Sequence, residues 1–82
     1  MQIRVLYFAG LRDEIGRSEQ LLDVPPDITT VGRLAGFMAA LHVQISVRQA
    51  CLRWARNDAF ATMDEELADG DTVALIPPVA GG

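Results

Sequence analysis

The residues with the most suggestive chemistry stand at the end of the sequence, where Pro77-Pro78-Val79-Ala80 is followed by Gly81 and Gly82. A carboxylate acylates poorly by itself, but once ATP has supplied an AMP leaving group, a thiolate or an amine can attack its carbon. This chemistry requires an accessible C-terminus, and two glycines leave the carboxylate of Gly82 without a neighbouring Cβ atom. Gly82 is therefore the predicted reactive residue, and AMP is expected on it only transiently.

The proline pair predicts how this carboxylate is presented. Prolines cannot continue a strand ladder and favour an extended spacer. At ~3.3 Å per extended residue, residues 77–82 reach about 20 Å, enough to enter the active site of a partner. Terminal glycines are often no more than a frayed end. The proline pair directly after a predicted strand favours the functional interpretation, a projecting arm.

Other reactive side chains are isolated along the chain. Cys51 has no companion cysteine and is interpreted as a small buried hydrophobe. His42 is the single histidine, and one histidine does not make a metal site. Asp64-Glu65-Glu66 is interpreted as a solvated loop. We expect no metal site and no permanently bound cofactor.

Composition narrows the classes of function. Eighty-two residues make one domain with a small core, which disfavours a self-contained enzyme. The net charge is -4, and the seven basic residues are scattered arginines, which argues against nucleic acid and favours a partner with a basic face. No stretch approaches the ~20 apolar residues that cross a membrane. The start MQIRVLYFAG is interpreted as a strand and not a signal peptide, and the single cysteine fits a reducing cytoplasm.

The elements that would position the tail follow from hydrophobic periodicity. Alternation over residues 2–9 predicts a first strand with Ile3, Val5, Tyr7 and Ala9 facing inward, followed by one or two helical turns and a second strand over residues 18–24. Thr30 is placed to cap a helix, and the apolar stripe predicted for that helix is Val31, Leu34, Met38, Leu41 and Ile45.

Weaker signals predict two short strands over residues 51–56 and 59–63, separated by the turn residues Asn57-Asp58. Gly70 allows a tight turn before a last strand over residues 72–76. This order predicts an α+β fold, a β-grasp, with a mixed sheet, one main helix on one face and parallel pairing of the first and last strands. The predicted domain spans residues 1–76, and the predicted flexible tail spans residues 77–82.

Three apolar residues are predicted to lie on the sheet face away from the helix. They are Leu6, Phe8 and Ile76. An exposed apolar patch at that position indicates a protein interface. The alternative is that a loop covers them.

The segment from Leu67 to Gly82, LADGDTVALIPPVAGG, resembles the C-terminus of molybdopterin synthase small subunits. Ile3 to Ala9, followed by Leu11-Arg12 and Gly16, is similar to the first strand of that family. The resemblance covers most of the chain and is strongest at its two ends.

One departure is Arg56, where the family commonly has an apolar residue. Either that face is solvated or a partner supplies the counter-charge.

The resemblance implies a sulfur carrier in molybdenum cofactor biosynthesis. In such a cycle, a ubiquitin-activating-like adenylyltransferase adenylates Gly82 and a sulfur donor system converts it to a thiocarboxylate. The tail then enters the large subunit and gives sulfur to cyclic pyranopterin monophosphate. The family forms a heterotetramer, two small subunits on a large-subunit dimer, and the catalytic groups belong to the large subunit. The alternatives are a thiamine-pathway sulfur carrier, a protein modifier, or a non-catalytic β-grasp adaptor.

Overall fold

A computed structural model describes residues 1–78. The elements in chain order are β1 (Gln2–Tyr7), α1 (Ala9–Ile15), β2 (Glu19–Asp23), α2 (Val31–Leu41), α3 (Val43–Arg48), β3 (Arg53–Arg56), β4 (Ala59–Phe60) and β5 (Thr72–Ile76). No helix in this range has both the length and the apolar character needed to span a membrane.

The five strands form one mixed sheet in the order β2-β1-β5-β3-β4. β1 is antiparallel to β2 and parallel to β5. β3 is antiparallel to both β5 and β4. A parallel pair of the first and last strands at the centre, with the main helix in the connection between them, confirms the predicted β-grasp.

The alternation in β1 buries one side of the strand against the helices. Ile3, Val5 and Tyr7 are almost completely buried, as predicted. The Tyr7 hydroxyl donates a 2.8 Å hydrogen bond to Oε1 of Gln20, and burial raises the pKa of Tyr7 to about 12, which keeps it neutral. The prediction for Ala9 was wrong. The strand ends at Tyr7, and Ala9 is an exposed residue that begins α1 with a φ of 51°.

The main helix begins where the capping residue predicts it. Oγ1 of Thr30 accepts a 3.2 Å hydrogen bond from the backbone N–H of Arg33. The predicted stripe is buried except at Leu41, which is half exposed. α2 ends at Leu41 because the extended backbone of His42 starts a second helix, α3. Ile45 is buried, but it belongs to α3, whose buried face is not continuous with that of α2. The prediction that the five residues form one continuous stripe on one helix was therefore wrong.

Gly32 in α2 is required by a close approach of the backbone. Its N–H donates a 2.8 Å hydrogen bond to the carbonyl of Met63, and a Cβ atom at Gly32 would lie 3.0 Å from that oxygen. The neighbouring N–H of Val31 donates to the carbonyl of Glu65 at 3.0 Å. These bonds satisfy N–H groups that the first turn of a helix leaves unpaired, so the loop after β4 is fixed on the start of α2.

The turn before β5 is fixed to the start of β1. Gly70 adopts a φ of 87°, as its predicted role in a tight turn requires. Its N–H donates to the carbonyl of Gln2 at 2.8 Å, and Oδ1 of Asp69 accepts from the N–H of Gln2 at 2.7 Å. The strand that leads into the tail is therefore held in register from its first residue.

Candidate functional site

The open face of the sheet carries an apolar groove. Leu6, Phe8 and Ile76, the three predicted interface residues, all line it. Their position follows from the pleat, because Leu6 and Ile76 alternate with the buried residues of β1 and β5. The structure thus brings together the three residues that the sequence placed on this face. That a partner binds them stays a prediction.

Small residues form the centre of this groove and larger ones its walls. The strand register aligns Leu6 with Ala74, Ala74 with Ala55, and Ala55 with Phe60. The two alanines leave a depression of about 240 Å³ between the larger side chains. Phe8 is 43% exposed and Phe60 is 66% exposed, so no loop within residues 1–78 covers them.

Phe60 and Arg53 belong to the same face and were not predicted. The guanidinium carbon of Arg53 lies 5.0 Å from the centroid of the Phe60 ring, a cation–π contact. Alternation in residues 51–56 already indicated that Arg53 lies on one face of the strand and that Leu52 and Trp54 lie on the other. Phe60 had a weaker signal, because β4 has only two residues and shows no periodicity.

Arg56, the predicted departure, lies on the other side of β3. It is paired in register with the buried Val73, and its Nε donates a 2.7 Å hydrogen bond to Oδ2 of Asp71. The prediction that a partner supplies the counter-charge was wrong, because Asp71 of the chain itself supplies it; the other predicted explanation, a solvated face, holds in part, since 31% of the Arg56 side chain is exposed. Asp71 stands in the same Asp-Gly-Asp turn that precedes the last strand.

Asp71 is a nearly buried carboxylate with three hydrogen-bond donors. Besides Arg56, the amide of Asn57 donates to Oδ1 at 3.0 Å and the N–H of Ala68 donates to Oδ2 at 2.8 Å. Burial alone raises the pKa of Asp71, but the bonds from Asn57, Ala68 and Arg56 outweigh it and leave the pKa below its ordinary value. Asp71 therefore fixes the β3–β4 hairpin against the start of β5.

The hairpin turn contributes to the same arrangement. Asn57 and Asp58 have φ values of 49° and 72°, and they form a two-residue connection between the paired residues Arg56 and Ala59. Oδ1 of Asn57 also accepts from the N–H of Thr72 at 2.9 Å. Positive φ at both positions gives a turn whose twist matches that of the strands. The register of this hairpin pairs Phe60 with Ala55 on the open face.

The base of the tail lies beside this hairpin. Pro77 is buried and Pro78 is exposed. Cys51, predicted to be buried, is exposed and lines a shallow groove together with both prolines. Leu52 occupies the buried position instead. The remaining predicted tail residues, Val79, Ala80, Gly81 and the reactive Gly82, lie outside the described residues.

Comparison with known proteins matches residues 5–82 to the ThiS family. A molybdopterin synthase sulfur carrier subunit from Chlamydomonas reinhardtii is 40% identical over 83 residues, which cover 100% of both chains. A protein of the same description from Escherichia coli strain K12 is 37% identical over 82 residues, covering 98% of this chain and 99% of its own.

A solved structure supports the same fold. The crystal structure of SAMP1, a small archaeal modifier protein from Haloferax volcanii, superposes with a TM-score of 0.86 at 29% identity and covers 100% of both chains.

Proposed function

The chain belongs to the ThiS family, and on this premise we propose that it is the sulfur carrier subunit of a molybdopterin synthase. The observation that carries the proposal is the 40% identity to a molybdopterin synthase sulfur carrier subunit over the whole of both chains. The match spans both chains from end to end, so it covers the whole domain and the tail.

The reactive group in this proposal is the carboxylate of Gly82. An adenylyltransferase of the ubiquitin-activating type joins that carboxylate to the AMP of ATP and releases pyrophosphate. A persulfide on a donor protein then attacks the acyl carbon and displaces AMP. A thiol reductant cleaves the S–S bond of the resulting acyl disulfide, which releases the donor protein as a thiol, oxidises the reductant to a disulfide and leaves the thiocarboxylate on Gly82. AMP is thus a transient group, and the chain needs no resident cofactor.

The globule in this proposal is a handle for the tail. The groove lined by Leu6, Phe8 and Ile76 binds the large subunit, while Pro77 to Gly82 deliver the thiocarboxylate to its active site. Sulfur passes there to cyclic pyranopterin monophosphate. Pterin-binding and catalytic groups belong to the large subunit, and two carriers with a large-subunit dimer form a heterotetramer. We propose the cytoplasm as the compartment.

Intact mass spectrometry tests the proposal directly. The chain is incubated with ATP, the adenylyltransferase and a sulfur donor, and its mass should rise by the exchange of one oxygen for sulfur. Adding large subunit and pterin precursor should return the mass to its starting value and produce the dithiolene. A variant without Gly81-Gly82 should fold normally, stay unloaded and give no product. Product formation by that variant would refute a carrier role and favour a binding adaptor.

A protein modifier is the second candidate, and the likeness to SAMP1 over the full chain favours it. A modifier would form an isopeptide bond between Gly82 and a lysine amine instead of giving up sulfur. Incubation with ATP and cell extract should then shift the chain into larger covalent species that survive denaturation and reducing agent. A sulfur carrier should form no such covalent species. A thiamine-pathway carrier would load the same thiocarboxylate but would not support dithiolene formation.

A further inference from the structure

We propose that Arg53 is a partner-binding residue of the carrier, and that it binds a carboxylate of the large subunit beside the base of the tail. The inference rests on the proposed function, because it deepens the interface with the large subunit. Neither the tail motif nor the apolar groove on the open face includes this residue.

The position of Arg53 is fixed by strand register. β3 and β5 are antiparallel with Arg53 directly opposite Ile76, the last residue of the sheet before the prolines. Arg53 also lines the groove of about 410 Å³ that contains Cys51, Phe60, Pro77 and Pro78. Pro78, the last described residue, lines this groove, so in the proposed function a protein that receives the residues after Pro78 binds next to it.

The charge of Arg53 is not neutralised within residues 1–78. Four of the seven arginines form ion pairs in this range: Arg4, Arg12, Arg48 and Arg56. Arg53 is exposed and pairs with no carboxylate there, although acidic residues exceed basic ones by four in the chain. Arg53 therefore has no counter-charge in a groove lined by proline and aromatic residues. A carboxylate of a partner protein can supply that counter-charge.

The contact with Phe60 orients the guanidinium without consuming its donors. The guanidinium carbon lies 5.0 Å from the ring centroid, where the positive charge is attracted to the face of the aromatic ring. The N–H groups remain available to bind a planar carboxylate. A guanidinium that is already held loses less side-chain entropy on binding. Because the surrounding groove is apolar, a bound partner would exclude water from the pair and strengthen it relative to an exposed surface pair.

Titration calorimetry with the large subunit tests this inference, using the full chain and the variants Arg53→Gln, Arg53→Lys and Arg33→Gln. Arg33 is a matched control, since it is an exposed arginine in the first turn of α2, on the helical layer, and forms no ion pair within residues 1–78. We expect Arg53→Gln to raise Kd about fivefold, the upper end for a charge pair at an interface rim. Arg53→Lys keeps the charge but not the planar fork, so its Kd should fall between those of the unaltered chain and Arg53→Gln. Arg33→Gln should bind like the unaltered chain.

Salt dependence separates the charge from simple packing. The affinity of the unaltered chain should fall as salt rises, and that of Arg53→Gln should fall less, because one screened interaction is missing. Equal Kd values and salt slopes for Arg53→Gln and Arg33→Gln would overturn the inference while leaving sulfur transfer, and so the proposed function, intact. Loss of affinity in Arg53→Lys as large as in Arg53→Gln would also overturn it. Failure of the unaltered chain to bind the large subunit would refute both proposals.

Discussion

Replacement of Asp71 by asparagine should destabilise the protein through one specific hydrogen bond. Both carboxylate oxygens accept: Oδ2 from Arg56 and Ala68, and Oδ1 from the amide of Asn57. Asparagine offers one acceptor and one donor in the same shape. With its oxygen toward the two donors, its NH₂ faces the NH₂ of Asn57. Asn57 cannot turn over, because its own oxygen accepts from Thr72.

The magnitude follows from burial. A buried donor without a partner costs about 1–3 kcal/mol, and loss of the negative charge weakens the bond to Arg56 as well. Arg56 keeps 31% of its side chain exposed, so water can replace part of that bond, and the full cost of a buried charge does not apply. We expect about 2 kcal/mol at pH 7, which lowers the melting temperature of a domain of this size by about 10 °C.

Urea unfolding at several pH values measures this effect. The folded-state pKa of Asp71 lies below its unfolded value, so the folded state binds fewer protons and the carboxylate stabilises it above about pH 4. This contribution disappears as pH falls through the folded pKa. The difference between the two proteins should therefore be largest near neutral pH and shrink in acid.

Asp23→Asn is the matched control, because Asp23 is 88% exposed and faces the N-terminal amine at 3.8 Å. It should change the free energy of unfolding by less than about 0.5 kcal/mol. An equally small change for Asp71→Asn, or a difference that does not depend on pH, would refute the reasoning.

Three further substitutions, the last with a control variant, give defined outcomes. Gly32→Ala should destabilise the fold by about 1–3 kcal/mol in urea unfolding, despite the better helix propensity of alanine, because its Cβ meets the Met63 carbonyl; a gain in stability would contradict this. Thr30→Ala should cost about 1 kcal/mol by removing the cap of α2, and helix content by circular dichroism should otherwise persist. Phe8→Asp should abolish large-subunit binding in calorimetry without unfolding the chain, because aspartate is a favourable N-cap for α1. Val47→Asp, on the helical layer, should leave binding unchanged.

The candidate site was predictable where its signal is local. The chemistry expected of the tail rests on the order of its residues alone, Pro77-Pro78 before Gly81-Gly82, and stays a prediction. Alternation alone separated Leu6 from the buried residues of β1, because neighbouring strand residues face opposite sides. Phe60 and Arg53 were missed because their role depends on which strands lie next to each other. β4 has only two residues, so it shows no alternation of polar and apolar residues from which the face of Phe60 could be predicted.

Local backbone physics explains what the sequence determined by itself. Thr30 caps the helix that follows it, Gly70 makes the turn that only a residue without Cβ makes cheaply, and the alternation of β1 places the core. Each of these effects acts within a few residues and is independent of the rest of the chain.

Tertiary structure decided the features that join distant segments. Arg56 meets Asp71 only because β3 and β5 are antiparallel in one particular register, and Gly32 is needed only because Met63 packs on the start of α2. Leu41 is half exposed because α2 ends there and a second helix begins at Val43. Cys51 is exposed because its neighbour Leu52 occupies the buried position. Contacts between residues far apart in sequence depend on packing and register, and a local pattern carries no information about either.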